Sequence, residues 1–270
     1  MLVRWFASSW RFDDAEAALS TITSDLEHMQ GAAAITKAYV SAGRLSEAIA
    51  LLEQVLTDCV RTLGEDHPDT LTSRNNLAGA YESAGRLEEA ITLYEQVLPD
   101  RIRVLGEYHP DTLASRNNLA GAYESAGRLT EAITLYEQVT KDCARVLGED
   151  HPHTLVSRNN LANAYREAGR ITEAIAVFEQ VLADRTRVLG EGHPDTLTSR
   201  NNLAGAYESA GRLTEAITLY EQVLADRTRI LGKDHPATLA TLNALASAYK
   251  DAGFLNKATA LLEGETPTEG

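Results

Sequence analysis

The chain has little cysteine, too few basic residues to balance its acids and no long apolar run, and each shortage removes a class of protein. Lys and Arg number 25 against 39 Asp and Glu, a formal charge of −14. Nucleic acid affinity is supplied mostly by Lys and Arg on phosphates, so neither nucleic acid nor an anionic membrane surface is an expected partner. No stretch reaches the roughly 18 to 20 apolar residues that a bilayer-spanning helix needs, and the opening MLVRWFASSW lacks the sustained apolar run of a signal peptide. The compartment these absences point to is the cytoplasm. The sequence contains no G-x-x-x-x-G-K-[ST], H-E-x-x-H, G-x-S-x-G or C-x-x-C, so no catalytic constellation is in view. The expectation is a protein that is not an enzyme and carries no cofactor. With 44% hydrophobic and 24% charged residues, the chain nevertheless has the composition of a folded protein.

What is abundant is repetition. His-Pro recurs at His67, His109, His151, His193 and His235, a constant step of 42 residues. The blocks 67–108 and 193–234 agree at 36 of 42 positions. Each block holds two segments of helical period. In the first, Leu71, Leu77, Ala78 and Tyr81 share a face, and Gly85 follows as the residue able to stop the helix in the left-handed conformation. In the second, Leu87, Ala90, Ile91, Tyr94, Val97, Leu98 and Leu105 follow the i, i+3, i+4, i+7 rule, with Glu88 and Glu89 in the first turn. Gly106 ends it, and a proline such as Pro68 opens the next helix where its missing N–H costs nothing. There is no sustained two-residue alternation and no Asn-Gly hairpin, so strands are not expected.

Leu77, Ala78, Tyr81, Ala90 and Tyr94 match the alternating small and large positions of the tetratricopeptide repeat, which the chain resembles over nearly its whole length. The usual period is about 34 residues. The longer period here, the HPDT turn and the NNLA motif resemble the kinesin light chain type of repeat, also found in bacterial arrays and in arrays attached to NTPase switch proteins. The resemblance implies an all-α, right-handed superhelical solenoid of antiparallel helix pairs, in which each repeat touches its neighbours and a concave groove results. The implied function is a scaffold or adaptor that binds a protein or peptide segment in that groove. A sensor array of a larger signalling NTPase, or a module that self-assembles through its solenoid ends, are the alternatives.

The register divides the chain into an incomplete helix pair at 1–29, repeats at 30–66, 67–108, 109–150, 151–192 and 193–234, a capping pair at 235–263, and a frayed tail at 264–270. Leu2, Val3, Trp5, Phe6 and Trp10 read as an imperfect cap, hence as a surface for self-association through the N-terminal end, with more chain upstream in a parent protein. Pro99 falls inside a second helix, where a kink or a break is expected.

The candidate binding residues are the recurrent Asn pairs Asn75 and Asn76, Asn117 and Asn118, Asn159 and Asn160, Asn201 and Asn202, with a lone Asn243. Asn is a mediocre helix residue, so its recurrence in mid-helix needs a reason. Steps of three and four from Asn75 reach Thr72, Gly79, Glu82 and Ser83, a face without large apolar residues. In tetratricopeptide proteins this face lines the groove, and the resemblance implies that these asparagines touch an extended peptide, the first of each pair foremost. A carboxamide offers a peptide backbone both donor and acceptor. The other reading is that one Asn of each pair satisfies backbone or bridges neighbouring repeats. Glu82, Glu124 and Glu208, with Arg166 and Lys250 in the same slot, either set ligand charge or form a solvated wall. Small Gly79, Gly121 and Gly205 would leave room for the ligand chain.

The histidines invite a metal-site reading, but neighbouring helices pack about 8 to 10 Å apart whereas zinc holds nitrogen near 2 Å. Helix capping is expected of them instead. Cys59 and Cys143 lie two repeats apart, in a slot otherwise filled by Arg101, Arg185 and Arg227, too far for a disulfide.

Overall fold

A computed structural model describes residues 25–263. Most of the pair expected over 1–29, including Leu2, Val3, Trp5, Phe6 and Trp10, lies outside the described residues, as does the tail 264–270. The described residues form twelve α-helices and no strand. In chain order they are α1 Asp25–Ser41, α2 Leu45–Leu63, α3 Pro68–Ser83, α4 Leu87–Leu105, α5 Pro110–Ser125, α6 Leu129–Leu147, α7 Pro152–Glu167, α8 Ile171–Leu189, α9 Pro194–Ser209, α10 Leu213–Leu231, α11 Pro236–Asp251 and α12 Leu255–Glu263.

The chain divides into two compact units, Met1–Leu135 and Tyr136–Gly270. In the first, α1 to α5 pack in sequence order, each on the next, and α3 also touches α5. In the second, α7 to α12 do the same, with α7 against α9 and α9 against α11. Helix pairs stacked on their sequence neighbours are the all-α solenoid arrangement.

The helix ends are written into the repeat. His67 is the N-cap of α3, and its Nδ1 accepts a hydrogen bond from the backbone N–H of Asp69 at 3.2 Å. His109, His151, His193 and His235 do the same for the N–H two residues on. An N-cap acceptor satisfies one of the four orphan donors of a first turn. Thr70 Oγ1 donates to the Gly64 carbonyl at 2.8 Å, tying the end of α2 to the start of α3, and Thr112 and Thr154 repeat the tie. The His-Pro-x-Thr motif is therefore a helix-to-helix corner.

The other corner is a Schellman motif. Gly85 has φ +73, its N–H reaches the Glu82 carbonyl at 2.9 Å, and the Arg86 N–H reaches the Tyr81 carbonyl at 2.9 Å. A Cβ on Gly85 would meet nothing within 4 Å, so the cost of a side chain there is that of the backbone conformation alone. Gly85→Ala is expected to lose about 1 to 2 kcal/mol in urea unfolding; a neutral result would mean the corner relaxes out of the left-handed region.

Leu71, Leu77 and Ala78 of α3 are buried, as are Ala90, Ile91, Tyr94 and Val97 of α4. These positions close a core in which Ala78, Ala90, Ile91 and Tyr94 meet Leu119 and Ala122 of α5. Small residues at the crossings let the helices approach, and large ones fill the space beside them.

The break expected at Pro99 is not there: α4 runs unbroken from Leu87 to Leu105 with Pro99 inside it. Pro99 is exposed while Val97 and Arg101 on either side are buried. Pro99 removes one donor from the helical ladder, and the packed flanks hold the helix together. Cys59 and Cys143 are both buried and remain thiols.

Candidate functional site

A line of tyrosines joins successive repeats. Tyr81 on α3 donates to Glu53 on α2 at 2.8 Å, and the Arg86 guanidinium stacks 4.2 Å from the centre of the Tyr81 ring while pairing with Glu89. Tyr123 repeats the arrangement with Glu95, Arg128 and Glu131. In the second unit Tyr165 does so with Glu137, Arg170 and Glu173, and Tyr207 with Glu179, Arg212 and Glu215. Burial, reinforced by the neighbouring carboxylate, pushes the Tyr123 and Tyr165 hydroxyls up to about 12. They stay protonated donors at neutral pH. At the last repeat Phe254 replaces the arginine and packs edge-on to Tyr249.

The asparagines fall into two groups. Asn75 is half-buried, and its Oδ1 accepts from Ser115 on α5 at 3.1 Å. In the second unit Asn201 accepts from Thr241 at 3.1 Å, and Asn159, which is buried, accepts from the Asn202 amide at 3.1 Å. The first Asn of these pairs thus bridges to the next repeat. Asn76 and Asn243 are exposed, and Asn117, Asn118, Asn160 and Asn202 half-buried.

In the first unit a cleft of about 340 Å³ lies over this face, lined by Thr36, Lys37, Val40, Leu52, Asn75, Asn76, Gly79, Ala80, Ser83, Tyr94 and Asn118. It brings together three of the asparagines singled out from the sequence. It also includes Thr36, Lys37 and Val40 of α1, which the repeat pattern did not single out because that helix departs from the NNLA motif.

Glu82 and Glu208 are half-buried, and burial raises both carboxyls above the ordinary carboxylate range. Glu82 accepts from Ser125 at 3.2 Å and from Tyr94 at 3.5 Å. Glu208 accepts from Tyr220 at 3.1 Å, with the Asp251 charge adding to the effect of burial and the Arg166 charge acting against it. Glu124 is half-buried as well.

Gly79 has a local reason beyond space for a ligand. A Cβ there would lie 3.3 Å from the Tyr94 hydroxyl, and one on Gly205 would lie 3.3 Å from that of Tyr220. The sequence holds the matching signal: Gly79, Gly121 and Gly205 accompany Tyr94, Tyr136 and Tyr220, whereas Asn163 accompanies Phe178. Glycine occurs where a hydroxyl must fit.

A second group missed in the sequence is the buried arginine of the second helix. Arg101 donates to the Asp111 carbonyl at 2.7 Å, to Ser115 at 2.9 Å and to Thr72 at 3.0 Å. Arg227 does likewise with the Ala237 carbonyl, Thr241 and Thr198. The only sequence cue was their alternation with Cys59 and Cys143.

Residues 33–101, 85–142, 111–187, 168–228 and 195–263 match the tetratricopeptide repeat family. No curated protein matches. The chain is similar to a crystal structure of Podosopora anserina nearly identical TPR-like repeats described as kinesin light chain. Identity is 37%, over 77% of this chain and 98% of that one, with a TM-score of 0.64. It shares its fold with a Pyrococcus horikoshii signal transduction ATPase with numerous domains that has a tetratricopeptide repeat sensor. There the identity is 15%, over 94% of this chain and 38% of that one, with a TM-score of 0.66. It also shares its fold with a Rap protein complexed with Competence and Sporulation Factor, at 14% identity over 90% and 70% of the two chains and a TM-score of 0.55. The helix pairs, their capped corners and the matches over five segments make this chain a member of the tetratricopeptide repeat family, with repeats of the kinesin light chain type.

Proposed function

We propose that the protein is a non-catalytic scaffold or adaptor of the cytoplasm, whose 42-residue repeats, with the boundaries read from the register, bind an extended protein segment along the Asn-bearing face of the first helices. The observation that carries this is the cleft of about 340 Å³ in the first unit, where Asn75, Asn76 and Asn118 stand beside Gly79 and Tyr94. Carboxamides at helical spacing over a small-residue floor can hold a peptide backbone without dictating its side chains. The Oδ1 atoms of Asn75, Asn159 and Asn201 already serve the neighbouring repeat, so those residues offer chiefly their amide donors. In the first-unit cleft Asn76 and Asn118 then carry more of the contact.

The test is a random dodecapeptide library displayed on phage and selected on the protein, followed by titration calorimetry with the selected peptide. Replacing Asn76 and Asn118 together by Ala is expected to cost roughly 1 to 3 kcal/mol of binding, at about one modest hydrogen bond each, with little change in thermal unfolding. Unchanged affinity would remove the asparagines from the contact. The fold shared with the sensor of the Pyrococcus horikoshii ATPase keeps a second reading, a sensor array whose ligand shifts a conformational equilibrium elsewhere. It uses the same face and differs in what the bound state does.

A further inference from the structure

The Gly, Glu and Tyr of the groove slot recur as a set, and in the second unit the set is visited by a cation. Gly205, Glu208 and Tyr220 lie together, the Tyr220 hydroxyl donating to Glu208 at 3.1 Å. From the preceding repeat Arg166 extends over them: its Nη1 is 2.8 Å from the point a Cβ on Gly205 would occupy, and its charge acts on both Glu208 and Tyr220. The protein therefore holds, within itself, a guanidinium against Gly205, near enough for its charge to act on Glu208 and Tyr220 without a direct ion pair.

The first unit has the same triad, Gly79, Glu82 and Tyr94, with no such guanidinium. The position one repeat before Glu82, which corresponds to Arg166, is Val40, and Val40 lines the cleft of about 340 Å³ that opens over Gly79 and Tyr94. Glu82 is not itself in the lining of the cleft but accepts from Tyr94, which is; the groups acting on it are burial and two neutral hydroxyls, those of Ser125 and Tyr94, and Lys37 of the lining is not among them. Glu82 also sits in the last turn of α3, the end of a helix where a negative charge is disfavoured by the macrodipole. In a chain of charge −14, a half-buried carboxylate at that place is unfavourable for folding and favourable for a bound cation.

We infer that the first-unit cleft is a subsite for one basic side chain, Arg or Lys, of the bound protein segment, lying over Gly79 beside Glu82 and Tyr94 as Arg166 lies over Gly205 beside Glu208 and Tyr220 in the second unit. The inference rests on the groove reading proposed above and adds the ligand's chemistry and its place. The second-unit triad is filled in cis and is not a basic subsite. Glu82 acts here by setting specificity.

The test uses the full chain and the same dodecapeptide library. Wild type should enrich peptides with Arg or Lys at one fixed position. Glu82→Gln and Val40→Arg should both erase that preference, the first by removing the receiving charge and the second by filling the site from within. A ligand-free readout accompanies it: a cycle of Val40→Arg and Glu82→Gln in urea unfolding, where Val40→Arg should be favoured by roughly fivefold or more in the folding equilibrium when Glu82 is present over when it is Gln. A basic preference that survives Glu82→Gln, or a wild-type selection without one, overturns the inference. If wild type enriches no peptide at all, the groove reading fails, and the cycle alone decides this inference: coupling upholds the cation site, and its absence overturns it.

Discussion

Arg101→Ala is expected to destabilise the protein by about 3 kcal/mol, through a buried side chain lost and three hydrogen-bond partners, Ser115 the buried one, left without their donor. Arg101 is 3% exposed and its guanidinium bridges two first helices, reaching Thr72 on α3 and both the Asp111 carbonyl and Ser115 on α5. Burial holds it below the usual arginine range, against the attraction of Asp111. Removing the side chain deletes volume at a helix crossing and strips donors from a carbonyl and two hydroxyls. Arg101→Cys should lose less, because the chain itself places Cys59 in this slot, with its sulfur 3.6 Å from the Ser73 hydroxyl. The checks are urea unfolding for the total and hydrogen exchange for the place. Protection should fall first where α3 and α5 meet, since each repeat is held by its neighbours. Equal losses for Ala and Cys would show that volume and hydroxyl contact are irrelevant at this slot.

The second large effect is expected where glycine and tyrosine travel together. Phe178 is 0% exposed and sits in the repeat that carries Asn163 in place of glycine. Phe178→Tyr adds a buried hydroxyl at the height where Tyr94 and Tyr220 come within 3.3 Å of a would-be Cβ. With the Asn163 side chain there, the substitution should cost about 3 kcal/mol from crowding and an ill-placed polar group. Adding Asn163→Gly opens that space. The double variant should recover more than half of the loss, although glycine alone in mid-helix costs about 1 kcal/mol. Thermal unfolding of the four members of the cycle measures the coupling. Additive effects would mean that the pairing of glycine with tyrosine reflects repeat copying and not contact.

Both expectations depend on contacts between residues far apart in sequence, and this separates what could be read from the chain from what could not. The period of 42, two helices per repeat, their ends at His-Pro and at Gly85 and Gly106, and the apolar faces of α3 and α4 were all legible. Each is local: a helix is specified by periodicity and capping within a few residues. The family followed from the same local pattern, repeated. The candidate face was legible as well, because NNLA recurs in register. Whether an asparagine on that face serves a ligand or the next repeat was not, since the Ser115 that engages Asn75 is 40 residues away. The absence of a break at Pro99 was illegible for a related reason: its intrinsic cost is local, but the burial of Val97 and Arg101 that keeps the helix whole is tertiary.

The sequence by itself thus determined the secondary structure, the repeat architecture and the family, because a repeat states the same short-range rules many times over. The tertiary structure alone decided that Arg101 ties two first helices, that Tyr81 reaches back 28 residues to Glu53, and that Arg166 lies over Gly205 while the same place in the first unit holds Val40 beside an open cleft. Those distinctions arise between residues of different repeats. They are set by which side chain arrives from the neighbouring turn of the solenoid, information that no single repeat contains.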